Sequence, residues 1–253
     1  MKSFLSIGLN RFEMPGNDLS CCVMDVLDMQ HVGVSMGATA RILKDGQATK
    51  AVAMSELTVL VEQAKAGKLT YLGVSWSGHG TNYTAPDGGL AQAIVCYDTV
   101  SAGDDWNLDT IITETEFRDL VNQVPPPCTV EIWADLCFSQ GLARHFGTNR
   151  SLHNPGNTQG VQRMADPDKR IHAGLNPNII LWAACSADET AADAPALHNG
   201  AFTHAWLKAY QDDRKSSRLE VLLRCKAIIR AERFAQTPHL NAYNVKVQLP
   251  VGA

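Results

Sequence analysis

Six short apolar runs, at 2–8, 38–43, 69–76, 128–135, 178–184 and 243–248, alternate along the chain with longer amphipathic stretches at 17–30, 51–66, 114–123, 196–211 and 217–232. Short runs bounded by turn residues read as strands buried on both faces, and the longer stretches carry helical spacing. Such alternation predicts an α/β fold, a mainly parallel sheet with helices on both faces. The first helix is expected to begin at Asn17 or Asp18, both good N-cap residues, with Leu19, Cys22, Val23, Val26 and Leu27 on its apolar face. Stretches 80–93, 98–110 and 141–177 read as irregular. The last is rich in Asn, Gly, Pro and His and long enough to be a functional surface loop or a mobile segment.

A chain of 253 residues, 45% hydrophobic, can bury one core of this kind, so 1–253 reads as a single domain carrying a long loop at 141–177. The net charge of -4 and the scattering of 22 Lys and Arg residues give no field for holding phosphates, which argues against a nucleic-acid partner. No stretch approaches the roughly 18 to 20 apolar residues that span a bilayer, and the opening MKSFLSIGL reads as a buried first strand, so no membrane association is expected. Seven cysteines without CxxC spacing fit neither a disulfide framework nor a zinc site. They read as reduced thiols of a cytoplasmic protein, with no cofactor and no metal expected. Nothing in the sequence sets an oligomeric state.

Two polar clusters end apolar strands. Ser77, Gly78, His79 and Gly80 follow YLGVSW. A histidine between two glycines at a strand end has little side-chain cover and is followed by backbone that can approach a ligand, which is how a general acid or base is presented; the plain alternative is a turn with a solvent histidine. The second cluster, Asp135 to Gly141, ends CTVEIWAD and contains Cys137. A cysteine at a strand-to-loop junction is a nucleophile where an imidazole favours its thiolate, and is otherwise a small apolar residue. Cys21, Cys96, Cys128, Cys185 and Cys225 fall in the second class.

In open α/β sheets, sites form beyond the carboxyl ends of strands. If the strands ending at Ser77 and Asp135 are neighbours or near neighbours, His79 and Cys137 reach the same edge. Two-residue spacing puts Ser77 with His79, and Asp135 with Cys137, on one side of each strand where the extension persists. No GxGxxG or GxxxxGK[ST] follows the first strand, which sets aside a nucleotide-binding doubly wound domain.

At these residues the chain resembles the caspase-like cysteine peptidases of the metacaspase and bacterial orthocaspase type. The family's S-G-H-G block stands at 77–80 and its D-x-C block at 135–137. LSIGLNRF at 5–12, CCVMDVLDM at 21–29, ILKDGQATKAVAMSELTVL at 42–60, LWAACSADETA at 181–191, GAFTHAW at 200–206 and AQTPHL at 235–240 are also similar to family blocks. The resemblance implies a caspase–hemoglobinase fold with a mainly parallel six-stranded sheet, and hydrolysis of protein or peptide substrates by a Cys/His dyad. Cys137 would attack the scissile carbonyl, His79 would protonate the leaving amine, and the amides of Gly80 and Cys137 would form the oxyanion hole. It also implies an acidic pocket for an Arg or Lys at P1, at positions matching Cys22, Asp25, Ser77 and Asp135. Cys22 and Asp25 stand three apart on one helical face, and paired carboxylates suit a guanidinium or ammonium.

The chain departs from the family at CFSQG, 137–141, where metacaspases often carry C-H-S-G. Where calcium-dependent members carry acids, this chain has Glu114 and Thr115 at one place and Arg144 at the other, so no calcium requirement is expected. Asp98, Asp104, Asp105 and Asp109 could still recruit calcium, but a solvated loop is the favoured reading. The competing function is a catalytically silent caspase-fold binding or scaffold protein.

Overall fold

A computed structural model describes residues 1–136, 148–149, 151–152, 174–186 and 189–253. Its main strands are β1 (Lys2–Gly8), β2 (Thr39–Lys44), β3 (Tyr71–Ser77), β4 (Gly80–Thr84), β5 (Leu90–Val95), β6 (Ile111–Thr113), β7 (Thr129–Asp135), β8 (Ile179–Ala183) and β9 (His239–Asn241). The helices are α1 (Cys22–Ser35), α2 (Lys50–Lys65), α3 (Glu114–Val121), α4 (Ala201–Asp212), α5 (Arg218–Ala231) and the short α6 (Asn244–Val247).

Six strands form the central sheet in the order β9-β8-β7-β3-β1-β2, all parallel except β9, which runs antiparallel to β8. All seven residues of β3 and all seven of β7 are buried, as expected of central strands covered on both sides. Against one face, Leu57 and Val61 of α2 and Phe117 of α3 pack with Leu5, Ile7, Leu72, Val74 and Ile132. On the other, α1, α4 and α5 bring Met29, Val32, Phe202, Trp206 and Val221 against Phe4, Tyr71, Trp133 and Trp182. Phe4 fits there because Gly73 below it and Gly33 above it lack side chains: a Cβ would fall 2.3 Å from its ring at Gly73 and 2.6 Å at Gly33.

A buried charge pair ties this second face together. Glu131, in the middle of β7, and Arg218, at the start of α5, are both fully buried. The guanidinium donates from Nε to Glu131 Oε1 at 2.8 Å and from one terminal nitrogen to Oε2 at 2.7 Å. Tyr71 Oη and Trp182 Nε1 donate to the same carboxylate at 3.0 and 2.9 Å. The remaining guanidinium protons go to the carbonyls of Lys246, Leu249 and Ala253. Burial beside Glu131 holds the Tyr71 hydroxyl well above its ordinary pKa, so it stays a donor.

Three sequence expectations shift. The run 243–248 is not the sixth strand: α6 lies there, its carboxyl-end carbonyls turned to Arg218, and the edge strand is β9, just upstream. Stretch 80–93, expected to be irregular, is most of an antiparallel hairpin of β4 and β5, turned at Pro86–Gly88 and joined by β6 into a second sheet. Helix α1 starts later than Asn17 or Asp18. The first turn is met by Asn10, whose Oδ1 accepts from the Val23 amide at 3.1 Å, while the carboxylate of Asp193, 172 residues from Cys21 in sequence, accepts from the amides just ahead of the helix, Ser20 at 2.8 Å and Cys21 at 3.1 Å. Asp18 instead binds Arg11. Most of the expected loop 141–177 lies outside the described residues. Among the described residues, no helix is long and apolar enough to cross a membrane.

Replacing Arg218 by methionine would leave Glu131 buried without its cation. We expect Arg218→Met to lower unfolding free energy by roughly 3–5 kcal/mol in urea titrations followed by circular dichroism. A loss below about 1 kcal/mol, typical of an exposed pair, would contradict that role.

Candidate active site

The parallel register sets Ser77 directly beside Asp135 on one side and Gly8 on the other. The exits of β1, β3 and β7 are laced at the same edge: Leu9 N–H donates to Ser77 O at 3.0 Å and Gly78 N–H to Asp135 O at 3.4 Å. The expectation of neighbouring strands is therefore met, and in sequence residue 137 follows the end of β7 by two positions. Cys137 itself lies outside the described residues, as does Arg144.

His79 sits between β3 and β4, where the chain passes from the central sheet into the second one. Extension stops at Ser77 and Gly78 bends the backbone, so Ser77 and His79 do not continue one strand face as the two-residue spacing anticipated. The imidazole is 4% exposed and lies against Phe12, ring centres 4.9 Å apart. It is not a solvent histidine. Nε2 is 2.7 Å from the backbone oxygen of Asn17. A carbonyl only accepts, so Nε2 carries the proton, and protonation of the neutral ring occurs at Nδ1. Gly80, the next residue, opens β4.

Three of the four expected pocket residues, Asp25, Ser77 and Asp135, are brought together beneath this edge, and the fourth, Cys22, stands one turn before Asp25 on α1, packed in the core with Leu9 and Leu19. Asp25 is 1% exposed, Ser77 and Asp135 2%, and Cys22 0%. Ser77 Oγ donates to Asp25 Oδ2 at 2.6 Å and Gly200 N–H to Asp25 Oδ1 at 2.8 Å. Thr203 donates twice to Asp135 Oδ2, from its hydroxyl at 2.6 Å and its amide at 3.2 Å. Asp25 reaches Ser77 because α1 crosses the sheet at Gly8, where a Cβ would lie 2.4 Å from Val26 Cγ2 and 2.5 Å from Cys22 O. The carbonyl of Asn17, Phe12, Gly200, Thr203 and Asp193 were not anticipated as parts of the site. Only the similarity of LSIGLNRF and GAFTHAW to family blocks pointed toward some of them.

The six described cysteines are free thiols. Burial pushes the thiols of Cys96, Cys128 and Cys225 up, reinforced by Asp98 near Cys96 and Asp135 near Cys225. These three are held protonated and poorly nucleophilic. Among the described residues no cluster of three or more His, Cys, Asp or Glu side chains could hold a metal ion. Glu114 is buried and accepts from the Gln92 amide at 3.2 Å.

The Peptidase_C14 caspase-domain family matches residues 2–249. The chain belongs to that family. It is similar to Arabidopsis thaliana metacaspase-6, 42% identical over 83 residues that cover 33% of this chain and 21% of the relative. It is also similar to metacaspase-4 of the same plant, 36% identical over 157 residues, 56% of this chain and 34% of the relative. The chain thus matches about a fifth to a third of these relatives' length. Among solved structures, a Geobacter sulfurreducens protein superposes with a TM-score of 0.72 at 17% identity, covering 100% of this chain and 98% of that one. Caspase-1 of Spodoptera frugiperda superposes at 0.65 and 10% identity, over 95% and 86% of the two chains. The fold is caspase-like.

A methyl group at Gly8 would push the first turn of α1 off the sheet and draw Asp25 from Ser77. Gly8→Ala is expected to cost about 1–3 kcal/mol of stability, measured as a lowered urea midpoint. An unchanged midpoint would mean that this contact relaxes freely.

Proposed function

We propose that the chain is a cysteine endopeptidase that hydrolyses peptide bonds after Arg or Lys through a Cys137/His79 dyad. The supporting observation is the register that sets Ser77 against Asp135, because His79 and Cys137 each stand two residues beyond those positions on strands about 4.8 Å apart. Family membership supplies the reaction class.

In this reading the His79 imidazole, anchored at Nε2 by the Asn17 carbonyl, exchanges its proton through Nδ1 and favours the Cys137 thiolate. The thiolate sulfur attacks the scissile carbonyl carbon, and the charge that develops on oxygen is met by the amides of Gly80 and Cys137. The C–N bond then breaks as His79 protonates the departing amine. Water, deprotonated by the same ring, attacks the thioester, and departure of the acid restores the thiol. Asp25 and Asp135 receive the P1 cation, with Ser77 and Cys22 completing the pocket. A neutral P1 side chain would leave both carboxylates buried without that cation.

Cys137→Ala and His79→Ala are each expected to abolish amide hydrolysis with the fold intact by circular dichroism, and the parent protein to act without added calcium. Peptidase activity persisting in folded Cys137→Ala would move the nucleophile elsewhere. Activity appearing only with added calcium would show that other acids replace those absent at Thr115 and Arg144.

In fluorogenic peptides varied only at P1, Arg and Lys should exceed neutral residues by about a hundredfold or more in kcat/KM, at tenfold per 1.4 kcal/mol. Asp25→Asn should weaken basic substrates far more than neutral ones. Cleavage after Asp, or after large apolar residues with basic peptides untouched, would overturn the acidic pocket.

A further inference from the structure

The two pocket acids are held in matching ways. Each takes one bond from the amino-terminal backbone of α4 and one from a hydroxyl: Asp25 from Gly200 N–H and Ser77 Oγ, Asp135 from Thr203 N–H and Thr203 Oγ1. Helix α4 has no side-chain cap of its own, so the carboxylates of α1 and β7 meet its first amides and its positive end. Ser77 belongs to the motif that suggested the pocket; Thr203 does not.

We propose that Thr203 is a positioning residue that sets the preference of the P1 pocket for arginine over lysine, by fixing the plane of the Asp135 carboxylate. This rests on the pocket reading above. Thr203, 4% exposed, is the third residue of α4. Its hydroxyl and its amide converge on the same oxygen, Oδ2, at 2.6 and 3.2 Å. Two donors on one oxygen restrain rotation about the Cβ–Cγ bond, and the direction of Oδ1 follows. A guanidinium reads that direction, since its fork of N–H groups binds well only to a carboxylate correctly turned. An ammonium is a point charge on a flexible stem and tolerates a rotated partner. With the hydroxyl removed, the shorter of the two bonds from Thr203 to Oδ2 is lost, and the carboxylate gains a rotation that arginine feels more than lysine.

The test measures kcat and KM for paired peptides identical except for Arg or Lys at P1, with the parent protein, Thr203→Val and Thr203→Ser. Valine keeps the shape and the amide but not the hydroxyl; serine keeps the hydroxyl. The expected result is a fall of about tenfold in kcat/KM for the Arg peptide with Thr203→Val, and much less for Lys, while Thr203→Ser keeps the parent ratio. Where the valine protein does not fold, Thr203→Ala takes its place with the same expectation. A residue that merely supported the helix would lower both substrates alike. An Arg-to-Lys ratio unchanged within about twofold in the hydroxyl-free variant, or shifted equally by serine, overturns the proposal while leaving the basic pocket standing. A parent protein that cleaves after neither Arg nor Lys overturns the pocket reading itself.

Discussion

Seven consecutive residue pairs hold β3 parallel to β7, from Tyr71 with Thr129 to Ser77 with Asp135, and the candidate site depends on that register. A slip of one residue would turn the face-down side chains of either strand to the other side of the sheet. Trp133 and Asp135 would leave the layer of α1 and α4, and Asp135 would lose Thr203. Both strands are buried throughout, so the pattern that sets their pairing is the packing of two full cores against them. The ion pair of Glu131 and Arg218 fixes the same register from the middle of β7, since its oxygens must meet Tyr71, Trp182 and the guanidinium together.

From that edge the parts of the site reinforce one another across the sheet. Asp193, just ahead of α4, binds the amides of Ser20 and Cys21 that lead into α1; Asp25, in the first turn of α1, binds the amide of Gly200 at the start of α4. The two helix termini are thus each neutralised by a carboxylate from the other's neighbourhood. Buried carboxylates are tolerable where helix amides and hydroxyls meet them, and that is the environment of Asp25 and Asp135.

The central strands were legible because burial on both faces leaves continuous apolar runs, and β1, β3, β7 and β8 lie within two residues of their expected bounds. The sixth strand was not. Val245 and Val247 alternate with polar residues as an edge strand would, but Arg218 draws the carbonyls of this segment into a turn. The site shows the same division. SGHG and DxC mark strand exits within a few residues, whereas Asp193, Thr203 and the Asn17 carbonyl act through contacts between distant segments, which no local spacing encodes. The late start of α1 has in part the same origin: Asn17 and Asp18 are good capping residues engaged elsewhere, and the amides around the helix start go to Asn10 and to the distant Asp193.

Covalent labelling tests the proposed chemistry most directly, since seven thiols compete and only one is assigned as nucleophile. The protein would be treated at neutral pH with a peptidyl-arginine acyloxymethyl ketone, then digested and mapped by mass spectrometry. The account predicts one adduct, on Cys137, lost in His79→Ala. An adduct on Cys22, Cys185 or any other cysteine, or undiminished labelling of Cys137 without His79, would contradict it.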